Sequence, residues 1–348
     1  MLRRDFMTGA AAGAAGAFFS PLAALSQPKP QLGKITLGFG LDPVFAPHIV
    51  ATEKGWFKEA GFTEVATKSF SGGALAGEAL LADEIQLWTP GNLPPISMAH
   101  TGVPIVVMGT NCIAAAADKL VARKDANIRN PEDLYKIKIG LLAGSTASAV
   151  LHKLAGTYRL DASRLQTVNM PPPEQLAALN AGQIGAMLCW QPWGYRALQG
   201  GVAELIHSGV SSGFAANKGA EVQISATRSL FVTSAAFARR NPAALFAMMA
   251  TLVRAQTYVA NPANRGEVVG LVARETKQDA ALVASIWDEY VFDPIFDFSY
   301  LSDMRAMTDY LVSSGRIKEA KDPLDYTYSG AVAAVNEQLV KLPGRWKP

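Results

Sequence analysis

The strongest constraint on this chain is an alternation that begins at Ile35, where short apolar runs take turns with stretches whose apolar residues fall at helical spacing. Ile35 to Phe39 reads as a strand. Pro47 to Ala60 reads as a helix, with Ile49, Val50, Trp56 and Phe57 in helical register and Gly61 just past its end. Val65 to Phe70 is a second strand, Gly73 to Ala82 a helix, and Ile85 to Trp88 a third strand. Asn92 to Thr101 makes a further helix, and Pro104 to Met108 is a continuous apolar run of the kind that is buried on both faces. Such alternation predicts an α/β fold with mostly parallel strands and helices on both faces of the sheet.

The pattern then starts again. Leu120 to Arg123, Ile137 to Leu141 and Gln166 to Met170 read as strands, and Thr146 to Tyr158 and Pro173 to Ala181 as helices. Ala79-Leu80 and Glu84-Ile85 find counterparts in Ala178-Leu179 and Gln183-Ile184 at a constant offset (179 − 80 = 99). In both places a helix turns tightly into a strand that ends in a tryptophan near a proline, Trp88 with Pro90 and Trp190 with Pro192. Two lobes of like construction follow. After a long strand over 222–233 the chain is almost wholly helical to about Val340, with Asn241 as N-cap and Pro242 at the first helical position. A helical tail must pack on an existing sheet. Residues 35–115 and 225–348 are therefore assigned to lobe 1 and residues 116–224 to lobe 2, with crossover segments near 111–119 and 221–231 acting as a hinge.

Residues 1–26 read as an address. Arg3-Arg4 precede Asp5-Phe6, an Ala- and Gly-rich apolar run follows, and small residues close it near Ser26. Paired arginines before Phe point to a twin-arginine signal peptide, although Leu2 stands where that motif usually has Ser or Thr. No later segment has 18 consecutive apolar residues. Formal net charge is only +3, too small and too evenly spread for a nucleic-acid binder. Cys112 and Cys189 are the only cysteines, too few for a structural zinc site, and no metal site is expected.

Enzyme signals are sparse. Gly209-Val210-Ser211-Ser212-Gly213 fits G-x-S-x-G, but the residues after it make a poor helix and all four histidines precede it. The helix starts carry more. Ser71-Gly72-Gly73, Thr89-Pro90-Gly91-Asn92 and Gly144-Ser145-Thr146 are strand-to-helix turns rich in small polar residues. In an open sheet such turns lie at the carboxyl ends of the strands, where ligands bind. The free N–H groups of a helix start hold an anion without Lys or Arg, although simple capping uses the same residues. Trp88, Trp190 and Trp193 sit at or just after strand ends, placed either to stack on a ligand or to fill the core. Asp42, after the first strand, is placed to meet an amine on the ligand or to serve the turn.

These turns also carry a resemblance. Ala51-Thr-Glu-Lys-Gly-Trp-Phe, Ser71-Gly-Gly with Gly91-Asn-Leu-Pro, Asp118-Lys-Leu-Val-Ala-Arg leading to Asn130-Pro-Glu-Asp-Leu, Gly144-Ser-Thr-Ala, the stretch from Pro173 to Ala186 and Trp190-Gln-Pro-Trp occur in an order that resembles the periplasmic binding proteins of nitrate, sulfonate, taurine and bicarbonate ABC transporters. The resemblance implies a type II periplasmic binding protein fold, two Rossmann-like lobes joined by a two-strand hinge. It further implies a monomeric periplasmic receptor for a small anion such as an alkyl sulfonate or taurine, presented to a permease and its ATPase. No cofactor and no catalysis are implied. The contacts carried over are Ser71, Gly72, Asn92, Ser145, Thr146 and Trp190, with Asp42 added from its position. Gly185 and Gly91-Asn92 depart from the family's usual Asp and Gly-Ser. The alternatives are a receptor for a thiamine-precursor pyrimidine or another aromatic compound, and a pyrimidine-synthesising enzyme on the same fold.

Overall fold

A computed structural model describes residues 31–70 and 73–348, so the predicted signal peptide, Ser71 and Gly72 lie outside the described residues. The chain opens with β1 (Lys34–Gly38), α1 (Ala46–Glu53), α2 (Trp56–Glu59), β2 (Glu64–Lys68), α3 (Gly73–Leu81), β3 (Leu87–Trp88), α4 (Leu93–His100) and β4 (Ile105–Ile113). It crosses to β5 (Asp118–Arg123), β6 (Lys138–Leu141), α5 (Thr146–Thr157), β7 (Gln166–Asn169), α6 (Pro172–Asn180), β8 (Ala186–Trp190), α7 (Trp193–Gln199) and β9 (Ala203–Ser208). It returns through β10 (Arg228–Ser234) and closes with α8 (Ala235–Arg240), α9 (Pro242–Ala260), α10 (Arg265–Thr276), α11 (Ala280–Ile286), α12 (Phe298–Ser313) and α13 (Gly330–Ala333).

Two five-stranded sheets result, in the orders β2-β1-β3-β10-β4 and β7-β6-β8-β5-β9. The orders are equivalent position by position, which makes the two lobes copies of one plan. In each sheet the fourth strand runs against its neighbours. β10 is antiparallel to β3 and β4, and β5 is antiparallel to β8 and β9. These are the strands that enter each lobe from the other, so "mostly parallel" holds for four strands of five. Buried aliphatic and aromatic residues fill both faces of the first sheet, with Leu37, Phe231 and Met248 on one side and Ile96, Val107 and Tyr300 on the other. The second sheet has its own two-sided core around Leu154 and Met187.

Local deviations from the sequence expectation have local causes. The helix expected over 47–60 breaks in two because Gly55 takes a left-handed φ of 70°. The strand expected over 222–233 begins only at Arg228, since Val222 and Ile224 donate instead to the carbonyls of Val210 and Gly209 in the crossover. β9 has no counterpart in the expectation. Asn241 does precede α9, but its side chain reaches back to the Phe237 carbonyl at 3.5 Å and caps nothing ahead of it. Helix α9 alone among the described residues is long and apolar enough to cross a membrane. Ten of its residues are buried and it packs on α1 and α13, so it serves as a core helix.

Candidate functional site

One cavity of about 160 Å³ lies where the carboxyl ends of strands from both sheets converge. The first lobe contributes the turn after β1 (Gly38 to Asp42), the turn after β3 (Thr89 to Gly91), Phe45 and Phe70. The second contributes Leu142, Ser145 and Thr146 ahead of α5, and Trp190 with Gln191 after β8. The floor is the crossover: Ala114, Ala117, Asp118, Thr227 and Ser229.

The lobes touch around this cavity. Trp190 Nε1 donates to Asp42 Oδ2 at 3.2 Å, Gln191 Nε2 donates to Glu289 Oε2 at 3.0 Å, and Lys119 Nζ lies 3.0 Å from the same carboxylate oxygen. A Cβ placed on Gly91 would meet Thr146 Cγ2 at 2.9 Å, so the two turns approach as closely as only glycine permits. On the flank, Ser313 Oγ of α12 lies 3.2 Å from His152 Nε2 of α5. The structure is that of a cleft closed on a small volume.

The residues singled out from the sequence divide. Asp42, Ser145, Thr146 and Trp190 all line the cavity. Ser145 spends its hydroxyl proton on the Leu142 carbonyl at 2.7 Å, and no side chain caps α5. The first-turn N–H groups of α5 are therefore without a side-chain acceptor. Asn92 stands apart. It is wholly buried, its amide donates to the Ala226 carbonyl at 2.9 Å and accepts from Arg228 N, and it does not line the cavity. It braces α4 against the crossover because a buried amide must find partners, and here both are main-chain groups. Of the tryptophans, Trp88 lines the cavity from within the core, whereas Trp193 stacks beneath Arg196 outside it.

Further polar liners, Thr89, Asp118, Gln191, Thr227, Ser229 and Tyr290, were not among the residues singled out from the sequence. Thr89 came closest, since it sits in a turn already picked out by its composition. Its hydroxyl is 2.9 Å from Nε2 of fully buried His48, whose Nδ1 has no partner and whose ring packs on Phe39 and Phe231. Burial pushes His48 down to about 3, so the ring is neutral. An orphaned N–H is rarer in proteins than an orphaned acceptor, which favours the tautomer with hydrogen on Nε2. That ring then donates to Thr89, leaving the Thr89 hydroxyl proton free for the cavity.

Among the described residues Asp42 and Asp118 are the only charged liners. Desolvation raises Asp42 to about 6, opposed by the Trp190 hydrogen bond and by Arg196. Desolvation likewise raises Asp118 to about 6, opposed by hydrogen bonds from Ser225 and Thr227 and by Lys119. Cys112 and Cys189 are both free and buried, and burial pushes both thiols up, which makes them inert apolar fillers. The G-x-S-x-G sequence is a loop. Ser208 N donates to the Ser211 carbonyl, and Gly209 is required because a Cβ there would fall 1.8 Å from the Ala115 carbonyl oxygen. Among the described residues no group of three or more metal-ligating side chains occurs.

Comparison with known proteins places this architecture. A protein of Escherichia coli (strain K12) described as binding aliphatic sulfonates is 22% identical over 65% of this chain, an alignment that spans 66%, just under two thirds, of that relative. The taurine-binding periplasmic protein of the same strain is 28% identical over 41% of this chain and 44% of its own length. The crystal structure of the periplasmic aliphatic sulphonate binding protein from Escherichia coli superposes with a TM-score of 0.68 at 18% identity, covering 84% of this chain and 96% of that one. The fold is thus that of the periplasmic binding proteins. The sequence model of the NMT1-like family matches residues 28–273, well over half of the chain, and the chain belongs to that family.

Proposed function

We propose that this chain is the solute-binding component of an ABC importer, capturing a small sulfonate such as an alkyl sulfonate or taurine and handing it to a membrane permease and its ATPase. One observation carries the reading: a cavity of about 160 Å³, built from the strand ends of both lobes and bridged by side chains across the cleft. That volume is on the scale of the ~150 Å³ cavity that encloses benzene, which suits a ligand of a few heavy atoms. The uncapped N-terminus of α5, beside Thr146, supplies N–H donors and a partial positive charge for the sulfonate. Thr89 offers a further hydroxyl proton.

On this reading Asp42, Ser145, Thr146 and Trp190 touch the ligand, joined by Thr89 and, from the turn outside the described residues, Ser71 and Gly72. Residues 35–115 with 225–348 and residues 116–224 move as two bodies about the crossover, opening and closing the cleft. The receptor works as a periplasmic monomer, exported by the twin-arginine route, without cofactor or catalysis. Replacing Arg3 and Arg4 by lysines in a secretion assay tests the route, and retained export would refute it.

A thermal-shift screen of the mature protein tests the function. Taurine, alkyl sulfonates, nitrate, bicarbonate, aromatic carboxylates and a thiamine-precursor pyrimidine make the panel. A ligand at a hundred times its Kd stabilises the native state by about 2.7 kcal/mol. A shift with a sulfonate is the expected result, and a shift confined to the pyrimidine would displace the reading.

A further inference from the structure

We propose that the ligand carries a protonated amine as well as its anionic group, the amine docking on Asp42 between aromatic walls, so that the receptor selects amino-sulfonates over plain sulfonates. The inference rests on the receptor reading above and narrows its ligand class. Its ground is the charge of the cavity. Two carboxylates line it, and among the described residues no Lys, Arg or His does. The cations that act on these carboxylates are already engaged, Lys119 with Glu289 and Arg196 over the Trp193 ring. A bare monoanion would enter this volume against two negative charges with no counter-charge in contact.

The carboxylates are also half-satisfied. Asp42 accepts the Trp190 N–H on Oδ2, and Asp118 accepts the Ser225 and Thr227 hydroxyls on Oδ2. Among the described residues no side chain or main-chain N–H donates to either Oδ1. Each therefore presents an acceptor that an ammonium, with three donors, is suited to fill. The walls fit the same group. Phe39, Phe45, Phe70, Trp88, Trp190 and Tyr290 surround the cavity, and aromatic faces beside a carboxylate form the usual environment for an organic ammonium. The α5 N-terminus lies in the opposite lobe from Asp42. A zwitterion thus has its two ends met by the two lobes.

Titration calorimetry on the mature protein with taurine, ethanesulfonate and ethylamine tests this. Taurine is expected to bind at least tenfold more tightly than ethanesulfonate at pH 7.5. Asp42→Asn is expected to remove that preference by weakening taurine at least tenfold more than ethanesulfonate. The taurine preference should also fade as pH falls through 6 and Asp42 takes up a proton, with Trp190 and Arg196 the groups that hold it ionised. Ethanesulfonate binding as tightly as taurine to the unaltered protein would overturn the amine while leaving the sulfonate receptor standing. Ethylamine matching taurine, or none of the three binding, would overturn the receptor reading and the inference together. The comparison of ligands on the unaltered protein decides the matter even if the variant fails to fold.

Discussion

Trp190 and Asp42 meet across the cleft, the indole N–H donating at 3.2 Å to Oδ2 of a carboxylate on the other lobe. Trp190 ends β8 and Asp42 follows β1, so the bond exists only when the lobes are together. It stabilises the closed form and orients Asp42 so that its other oxygen is left for the cavity. Trp190→Phe keeps a ring at the site and removes the donor. A neutral donor to an ionised acceptor contributes about 1.5 kcal/mol, so the Kd of the best ligand should rise about tenfold. An unchanged Kd in calorimetry would show that the bond plays no part in the bound form.

Asp42 and Asp118, both raised to about 6, give the stability a particular pH signature. Their unfolded values lie near 3.9. Between about pH 4 and 6 the folded chain holds protons that the unfolded chain has released. These two groups therefore lower stability as pH rises through that window and contribute nothing further above it. His48, depressed to about 3, acts in the opposite direction, because the unfolded chain takes up its proton first on acidification. Asp133, held at about 2 mainly by Lys136, titrates below the window. The acids are separated by difference. Urea melts of Asp42→Asn and of the unaltered protein should diverge in the variant's favour from pH 4 to 6, and parallel curves would contradict the assignment.

Gly91 sets how far the cleft can shut. With Thr146 Cγ2 at 2.9 Å from any added Cβ, a methyl group must push the turns apart by a few tenths of an ångström, and a valine by more. Gly91→Ala should weaken ligand binding about threefold and Gly91→Val at least thirtyfold, with little change in the unliganded melting temperature. Small-angle scattering of the valine variant with ligand should keep the profile of the unliganded protein. A ligand-dependent contraction equal to that of the unaltered protein would refute the contact.

The lobes were legible in the sequence because their repeat is written in backbone conformation as well as in apolar pattern. The 99-residue offset pairs α3 and β3 with α6 and β8, which hold equivalent places in the two sheets. The tight turns between them place Asp83 (φ 58°) and Gly182 (φ 72°) at the same offset, both left-handed. Asp42, Ser145, Thr146 and Trp190 were legible for a similar reason, since each follows or ends a strand whose carboxyl end faces the cavity. Asp118, Thr227 and Ser229 were not. They reach the cavity because two crossover segments distant in sequence lie side by side, and no local pattern encodes that adjacency. Asn92 stands apart because its amide donates to the Ala226 carbonyl, a partner distant in sequence that turn composition does not reveal. The antiparallel course of β5 and β10 follows from the chain's double crossing, a property of connection that periodicity does not express.

The crossover itself is held by one carboxylate oxygen. Asp118 Oδ2 accepts Ser225 Oγ at 2.6 Å and Thr227 Oγ1 at 2.5 Å, while the main chain ties Ala114 N to the Thr227 carbonyl and Gly209 N to the Asp118 carbonyl. Asp118 is only 1% exposed, so these hydroxyls are its compensation for leaving water. Hydrogen bonds to a charged group are worth about 1.5–3 kcal/mol. Thr227→Val, close in shape, removes one of them and should cost about 2 kcal/mol in a urea melt. Adding Ser225→Ala should cost less than a second independent loss if Asp118 then protonates, because a neutral carboxyl needs fewer donors and its pKa rises further without them. The double variant should therefore lose its additional stability deficit at pH 5 and show it in full at pH 8. Strict additivity at both values would mean that Asp118 stays ionised without its hydroxyls, and that the crossover is anchored by the main-chain bonds alone.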